Sequence, residues 1–289
     1  MSRYDRLEAV LGVGHPYLTE IQRMREYVLL VPFERFYEPV SVIEAAGKTR
    51  RTVNLTPEMV NAWTRHVFCA SRVRMLNLED GVLDELNAGR LLTAMVLMRS
   101  HVEAGAMACL CVHEIRKWTN TGDSASIEEL IPPTFFGTSM VRAEKKTQAL
   151  EGTLLFSEQD KVPIGRMISA LDEFMSCGKP DGRAHTIYGL LCEYTHPNMR
   201  ALKDHTTTDN DSVEGWFHRY RVNAELSKNN CIMALHALAT SMRAGHAACE
   251  MLRRMKTGSD GSRGYLQPPD EDDLKEIWET FCREPEDVR

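Results

Sequence analysis

The stretch Leu91-Leu92-Thr93-Ala94-Met95-Val96-Leu97-Met98-Arg99-Ser100-His101-Val102-Glu103-Ala104-Gly105-Ala106-Met107 decides how this chain is read. Leu92, Met95, Val96, Arg99, Glu103, Ala106, Met107 and Leu110 recur every three or four residues, the period of a helix with one apolar face. Arg99 and Glu103 fall on that face. A charge on a core-facing stripe is costly unless it is paired, so the two mark either a structural network or a site. A second segment, Tyr188-Gly189-Leu190-Leu191-Cys192-Glu193-Tyr194-Thr195-His196-Pro197-Asn198, puts Tyr188, Leu191, Cys192, Thr195 and His196 on one face in the same way.

Around these two segments, the 289 residues suffice for one large domain or two small ones. Aromatics make up only 7% while Ala, Leu, Met, Arg and Glu abound, a balance that favours helices over sheets. The formal charge of −6 gives no global basic field for wholesale nucleic-acid binding, though it leaves room for a local basic groove. The eight cysteines are scattered through apolar stretches without a C-x-x-C pair. They read as reduced, buried thiols of a cytoplasmic protein, with no metal site expected. Met1 to Arg6 is charged with no apolar run behind it, so no signal peptide is expected. The longest apolar run, 91–112, is interrupted by Arg99, His101 and Glu103, and reads as a core helix rather than a membrane span.

The punctuation predicts a run of helices. One opens at Pro16, and Thr56-Pro57 is an N-cap followed by Pro at the first helical position. A long helix is expected from about Val82 to Trp118, others over 163–177 and 182–196, and another long one over 213–256. The fold class expected is all-α, an antiparallel helical bundle with long core helices and peripheral short ones. Residues 1–55 would pack an N-terminal helix and a connection on the core, 56–258 would form the bundle, and 259–289 an acidic tail helix. Pro132-Pro133 and the polar run after it make 123–160 an insertion or lid.

Arg99, Glu103, Ala104 and Ala106 on one long helix, followed downstream by Tyr188, Leu191, His196 and Pro197 in a Tyr-x-x-Leu-x-x-x-x-His-Pro pattern, resemble uncharacterised bacterial families related to the HEPN fold. The resemblance covers about residues 57–256 and leaves both termini and the middle unmatched. It implies an antiparallel bundle, often a homodimer, from a superfamily rich in RNases of toxin–antitoxin and phage-defence systems. The Arg-x4–6-His signature of those RNases is missing ahead of His196, where Leu190, Leu191 and Cys192 stand. A literal match at Arg200 to His205 is a spacing that this many Arg and His residues produce by chance.

Metal-independent RNA cleavage needs a group to take the 2′-hydroxyl proton, a donor for the leaving oxygen and a cation for the phosphorane charge. His196 can take or give the proton, Arg99 can supply the cation, Tyr188 can serve as a positioning donor and Glu103 can orient Arg99. The simpler account is that Arg99 and Glu103, one turn apart, form an ion pair that bonds to Tyr188 and His196 and fixes the register of two helices. Arg183 and His185 open a helix at its positive end, where an RNA phosphate could sit, although an exposed helix start explains them as well. Arg200 and His205 are the remaining candidates for RNA contact. His101 and His113 read as facing solvent or a neighbouring helix, and Trp216 to Arg221 as the edge of the core. No Gly-rich phosphate loop, G-x-S-x-G or H-E-x-x-H occurs, and no cofactor is expected. Two functions stay open: a HEPN-like protein acting on RNA, and a catalytically silent helical scaffold with a protein partner.

Overall fold

At Ala88-Gly89-Arg90 the longest stretch of helix folds back on itself. The computed structural model describes residues 4–31, 57–136, 162–176, 179–195, 206–209, 217–220, 227–255 and 268–282. Before the turn runs α3, Pro57–Asn87, and after it α4, Leu91–Thr121; each has 31 residues, about 46 Å of helix. Gly89 takes φ +79°, and the Arg90 amide donates back to the Glu85 carbonyl at 2.8 Å, a left-handed cap that ends α3. A Cβ at Gly89 would lie 2.5 Å from the Arg6 guanidinium, which donates to the Ala88 carbonyl at 2.8 Å. The expected helix over 82–118 is therefore two helices. The apolar period runs through the turn, so only Gly89 signals the break.

Pairings along the hairpin fix its direction: Gly81 lies beside Leu97, Glu79 bonds His101 and Met75 meets Gly105, so α3 and α4 are antiparallel. Helix α2, Pro16–Leu30, is antiparallel to α3, with Arg25 on Glu79 and Arg72 donating to the Val28 carbonyl. The long α8, Lys228–Arg254, sets Ser241 against His101 and Gly245 against Gly105, and so runs the same way as α4. Those two helices approach closely: a Cβ on Gly105 would come within 3.2 Å of the Gly245 Cα. The short α1, Asp5–Leu11, packs on α3 and α8, and α5, Ala125–Phe136, on α3 and α4. Helices α6, Ile164–Met175, and α7, Arg183–Thr195, cover α4 from another side. At the C-terminal end α9, Glu271–Ile277, passes into a π-helical turn, Trp278–Cys282, and Phe281 enters the core.

The all-α helical bundle is thus the architecture. The strands among the described residues are one antiparallel ribbon, β1 Thr206–Asp209 and β2 Phe217–Tyr220. That ribbon corrects the helix expected over 213–256. Its start is a strand rich in β-prone aromatics opposite a run of threonines, and α8 begins only after Ser227, whose side chain accepts from the Asn230 amide at 3.1 Å. Of the expected insertion over 123–160, α5 is described and 137–161 lie outside the described residues, as do 32–56 and 256–267. Helix α4 is long and apolar enough to cross a membrane, but it packs against α3, α5, α6, α7 and α8.

Candidate functional site

Helices α4 and α7 meet where both polar-on-apolar stripes run, and three of the four residues expected to form the site come together there. Tyr188 Oη donates to Glu103 Oε1 at 2.9 Å, and Arg99 Nε donates to Tyr188 Oη and to Glu103 Oε1, each at 3.2 Å. Arg99 Nη1 donates to Thr195 Oγ1 at 2.8 Å. The guanidinium carbon also stands 5.4 Å from the Tyr188 ring centroid, within reach of a cation–π contact. All of this follows from spacing: Arg99 and Glu103 are one turn apart on α4, and Tyr188 and Thr195 two turns apart on α7.

The cluster is half-buried, with side-chain exposures of 31% for Arg99 and 26% for Glu103. Burial and the Glu103 carboxylate push the Tyr188 phenol up to about 12, against an opposing pull from Arg99. The phenol therefore stays protonated and acts as a donor to Glu103. Burial works against the Arg99 charge, yet the bond to Tyr188 and the charge of Glu103 hold its pKa above the ordinary value.

A cleft of about 360 Å³ opens beside the cluster, lined by Arg99, Glu103 and Tyr188 together with His66, Ser71 and Arg74 from α3. Arg74 is exposed and makes no ion pair among the described residues. His66, Ala70 and Arg74 follow one another at four-residue steps, an edge of α3 facing the cleft that sequence reasoning missed although the spacing held it.

The other expected residues are placed differently. His196, Arg200 and His205 lie outside the described residues. Arg183 pairs with Asp181 at 3.1 Å and lines a separate cavity of about 70 Å³, while His185 bonds Ser169 at 3.3 Å. Neither lines the Arg99 cleft. His113 pairs with Glu173 at 3.1 Å.

His101 departs from the solvent-facing option. It is fully buried and, with His246, converges on Glu79, whose Oε1 takes Nε2 of His246 at 2.7 Å and of His101 at 3.2 Å. Arg25 bonds the other carboxylate oxygen at 3.2 Å and Asp80 at 2.9 Å. Burial lowers the His101 pKa, only partly offset by Glu79, so its neutral form is favoured. Its Nε2–H then donates to Glu79 and its Nδ1 accepts from Ser241 Oγ at 2.7 Å. Burial alone would raise Glu79, but the two imidazoles hold it well below the carboxylate range. This network is sealed in the core and ties α2, α3, α4 and α8 together. Among the described residues no group of three His, Cys, Asp or Glu side chains is arranged to hold a metal ion.

Comparison with protein-family models, with curated proteins and with solved structures finds no match for this chain.

Proposed function

We propose that this chain is a HEPN-like helical protein that acts on single-stranded RNA in the cleft beside Arg99. The observation that carries the reading is a guanidinium held at Nε and Nη1 by Glu103, Tyr188 and Thr195 while it lines an open cleft. Among the described residues its Nη2 has no hydrogen-bond partner, and Arg74 on the facing helix is a second cation without an ion pair. Two such groups suit a phosphodiester, which takes guanidinium donors at its oxygens.

In the cleavage step the RNA 2′-oxygen attacks phosphorus as the bond to the 5′-oxygen breaks. Arg99 offsets the charge that builds on the phosphorane oxygens. Glu103 orients Arg99, and Tyr188, protonated at neutral pH, donates to Glu103 and accepts from Arg99 Nε, which fixes the position of both. His196 is assigned as the base that takes the 2′-hydroxyl proton, and a water molecule supplies the proton to the leaving 5′-oxygen.

The scaffold reading has one observation in its favour: Arg99, Glu103, Tyr188 and Thr195 bond one another and lock α4 to α7. The two readings part in cells. Total RNA is compared after expression of the wild type, Arg99→Ala and His196→Ala, with folding of each checked by circular dichroism. Fragmentation by the wild type alone, with all three folded, is the expected result. Intact RNA throughout, with Arg99→Ala melting early, overturns the RNA reading in favour of the scaffold.

A further inference from the structure

A second cleft lies away from Arg99, between the second half of α4, α6, α8 and the C-terminal α9 with its π-helical turn, and holds about 670 Å³. Its floor is apolar. Val112, Ala170, Ala247 and Ile277 are buried there, and Phe174 and Met251 extend the same surface. Its rim carries three cations, Arg116, Lys117 and Lys275, which are exposed and, among the described residues, form no ion pair, and one carboxylate, Glu173, which is engaged by His113 at 3.1 Å. Elsewhere the arginines Arg25, Arg90, Arg166, Arg243 and Arg254 all hold carboxylates. Arg116, Lys117 and Lys275 hold none among the described residues and stand together at the mouth of this cleft, as Arg74 does singly at the other. Trp278, 48% exposed, stands at the same mouth in the π-helical turn, a distortion that recurs at binding sites.

We propose that this cleft binds an amphiphile with an unbranched apolar chain and an anionic head, of the fatty-acid class. The chain lies along the buried floor, where it removes apolar surface from water. The head meets Arg116, Lys117 and Lys275 at the rim, where charges that are strongly hydrated on their own gain a counter-ion. The volume falls in the range of about 300–1,000 Å³ usual for small-molecule sites. A nucleotide fits less well, because the buried floor residues Val112, Ala170, Ala247 and Ile277 present no side-chain donor or acceptor for a base.

Isothermal titration of the full chain with sodium dodecanoate, with dodecanol and with ATP tests the assignment. The expected result is saturable one-site binding of dodecanoate, with dodecanol weaker by at least about tenfold. The double variant Lys117→Glu/Lys275→Glu, changed only at exposed positions, is expected to keep the wild-type melting curve and to bind dodecanoate at least about tenfold more weakly. Absence of saturable dodecanoate binding, equal affinity of the charge-reversed protein, or saturation by ATP with displacement of dodecanoate each overturns the proposal.

Discussion

Replacing Glu79 by Gln keeps the shape of the buried network and removes its only interior carboxylate charge. Glu79 accepts from three donors: His246 Nε2 at 2.7 Å, His101 Nε2 at 3.2 Å and Arg25 Nη1 at 3.2 Å. A glutamine has one acceptor oxygen. Turned towards the histidines it presents its own N–H₂ to Arg25, and turned towards Arg25 it presents N–H₂ to two imidazole N–H groups. A buried donor left without an acceptor costs about 1–3 kcal/mol, and removing one member of a buried charge pair costs about 3–5 kcal/mol. Arg25 keeps Asp80 at 2.9 Å, which places the expected loss towards the lower end, about 3 kcal/mol. Domains of this kind hold about 5–15 kcal/mol in all, so the loss is easily read by urea unfolding followed by circular dichroism at pH 7.5. The midpoint should fall with the slope unchanged. The pH response should change too. The Glu79 pKa is depressed by folding, so its contribution is present above its ordinary 4.5 and is lost as pH falls through the folded value. The His101 pKa is also depressed, so its contribution is present above 6.5 and is lost as pH falls below that. Glu79→Gln should therefore keep the loss below pH 6.5 and lack the further Glu79-linked loss below pH 4.5. A destabilisation under about 1 kcal/mol at pH 7.5 would refute the assignment of this network as a tie between four helices.

Other consequences are as direct. A Cβ on Gly245 would lie 2.6 Å from Met75 Sδ and 3.0 Å from the Gly105 Cα, whereas one on Gly105 comes no closer than 3.2 Å to anything. Gly245→Ala should lose about 1–2 kcal/mol in urea unfolding, because overpacking outweighs the helix gain of about 1 kcal/mol, and Gly105→Ala should be near neutral. Arg254 bonds Glu250, Asp273 and Glu276 and so holds α9 on α8. Arg254→Ala should cost about 1 kcal/mol, discounted because Glu276 is exposed, and should speed limited proteolysis within 268–282 relative to the bundle.

The site cluster is legible because a helical period states which residues share a face. Arg99 and Glu103 stand out as charges on an apolar stripe, and spacing alone groups Tyr188 with Thr195 on the matching stripe. Glu79 leaves no such mark. Its partners His101 and His246 are 22 and 167 residues away, and only the packing of three helices brings them to one carboxylate. The break at Gly89 is hidden because the apolar pattern continues across a three-residue cap. The β1–β2 ribbon escapes because four-residue strands give a period too little length to register. His66 and Arg74 escape for another reason: the apolar period marks α3 only as a core helix, and its polar edge acquires meaning when α4 and α7 build the far wall of the cleft.

The most direct test of the RNA reading is the anisotropy of a short fluorescent single-stranded RNA titrated with the wild type, Arg99→Ala and Arg74→Glu, each shown to be folded. Arg74 makes no ion pair among the described residues, so its reversal probes the cleft without breaking the α4–α7 tie. The account predicts saturable binding by the wild type and a loss of about tenfold or more in both variants, as expected when a cation facing a phosphate is removed. Wild-type protein that leaves the anisotropy unchanged, or variants that bind as tightly as wild type, would contradict it.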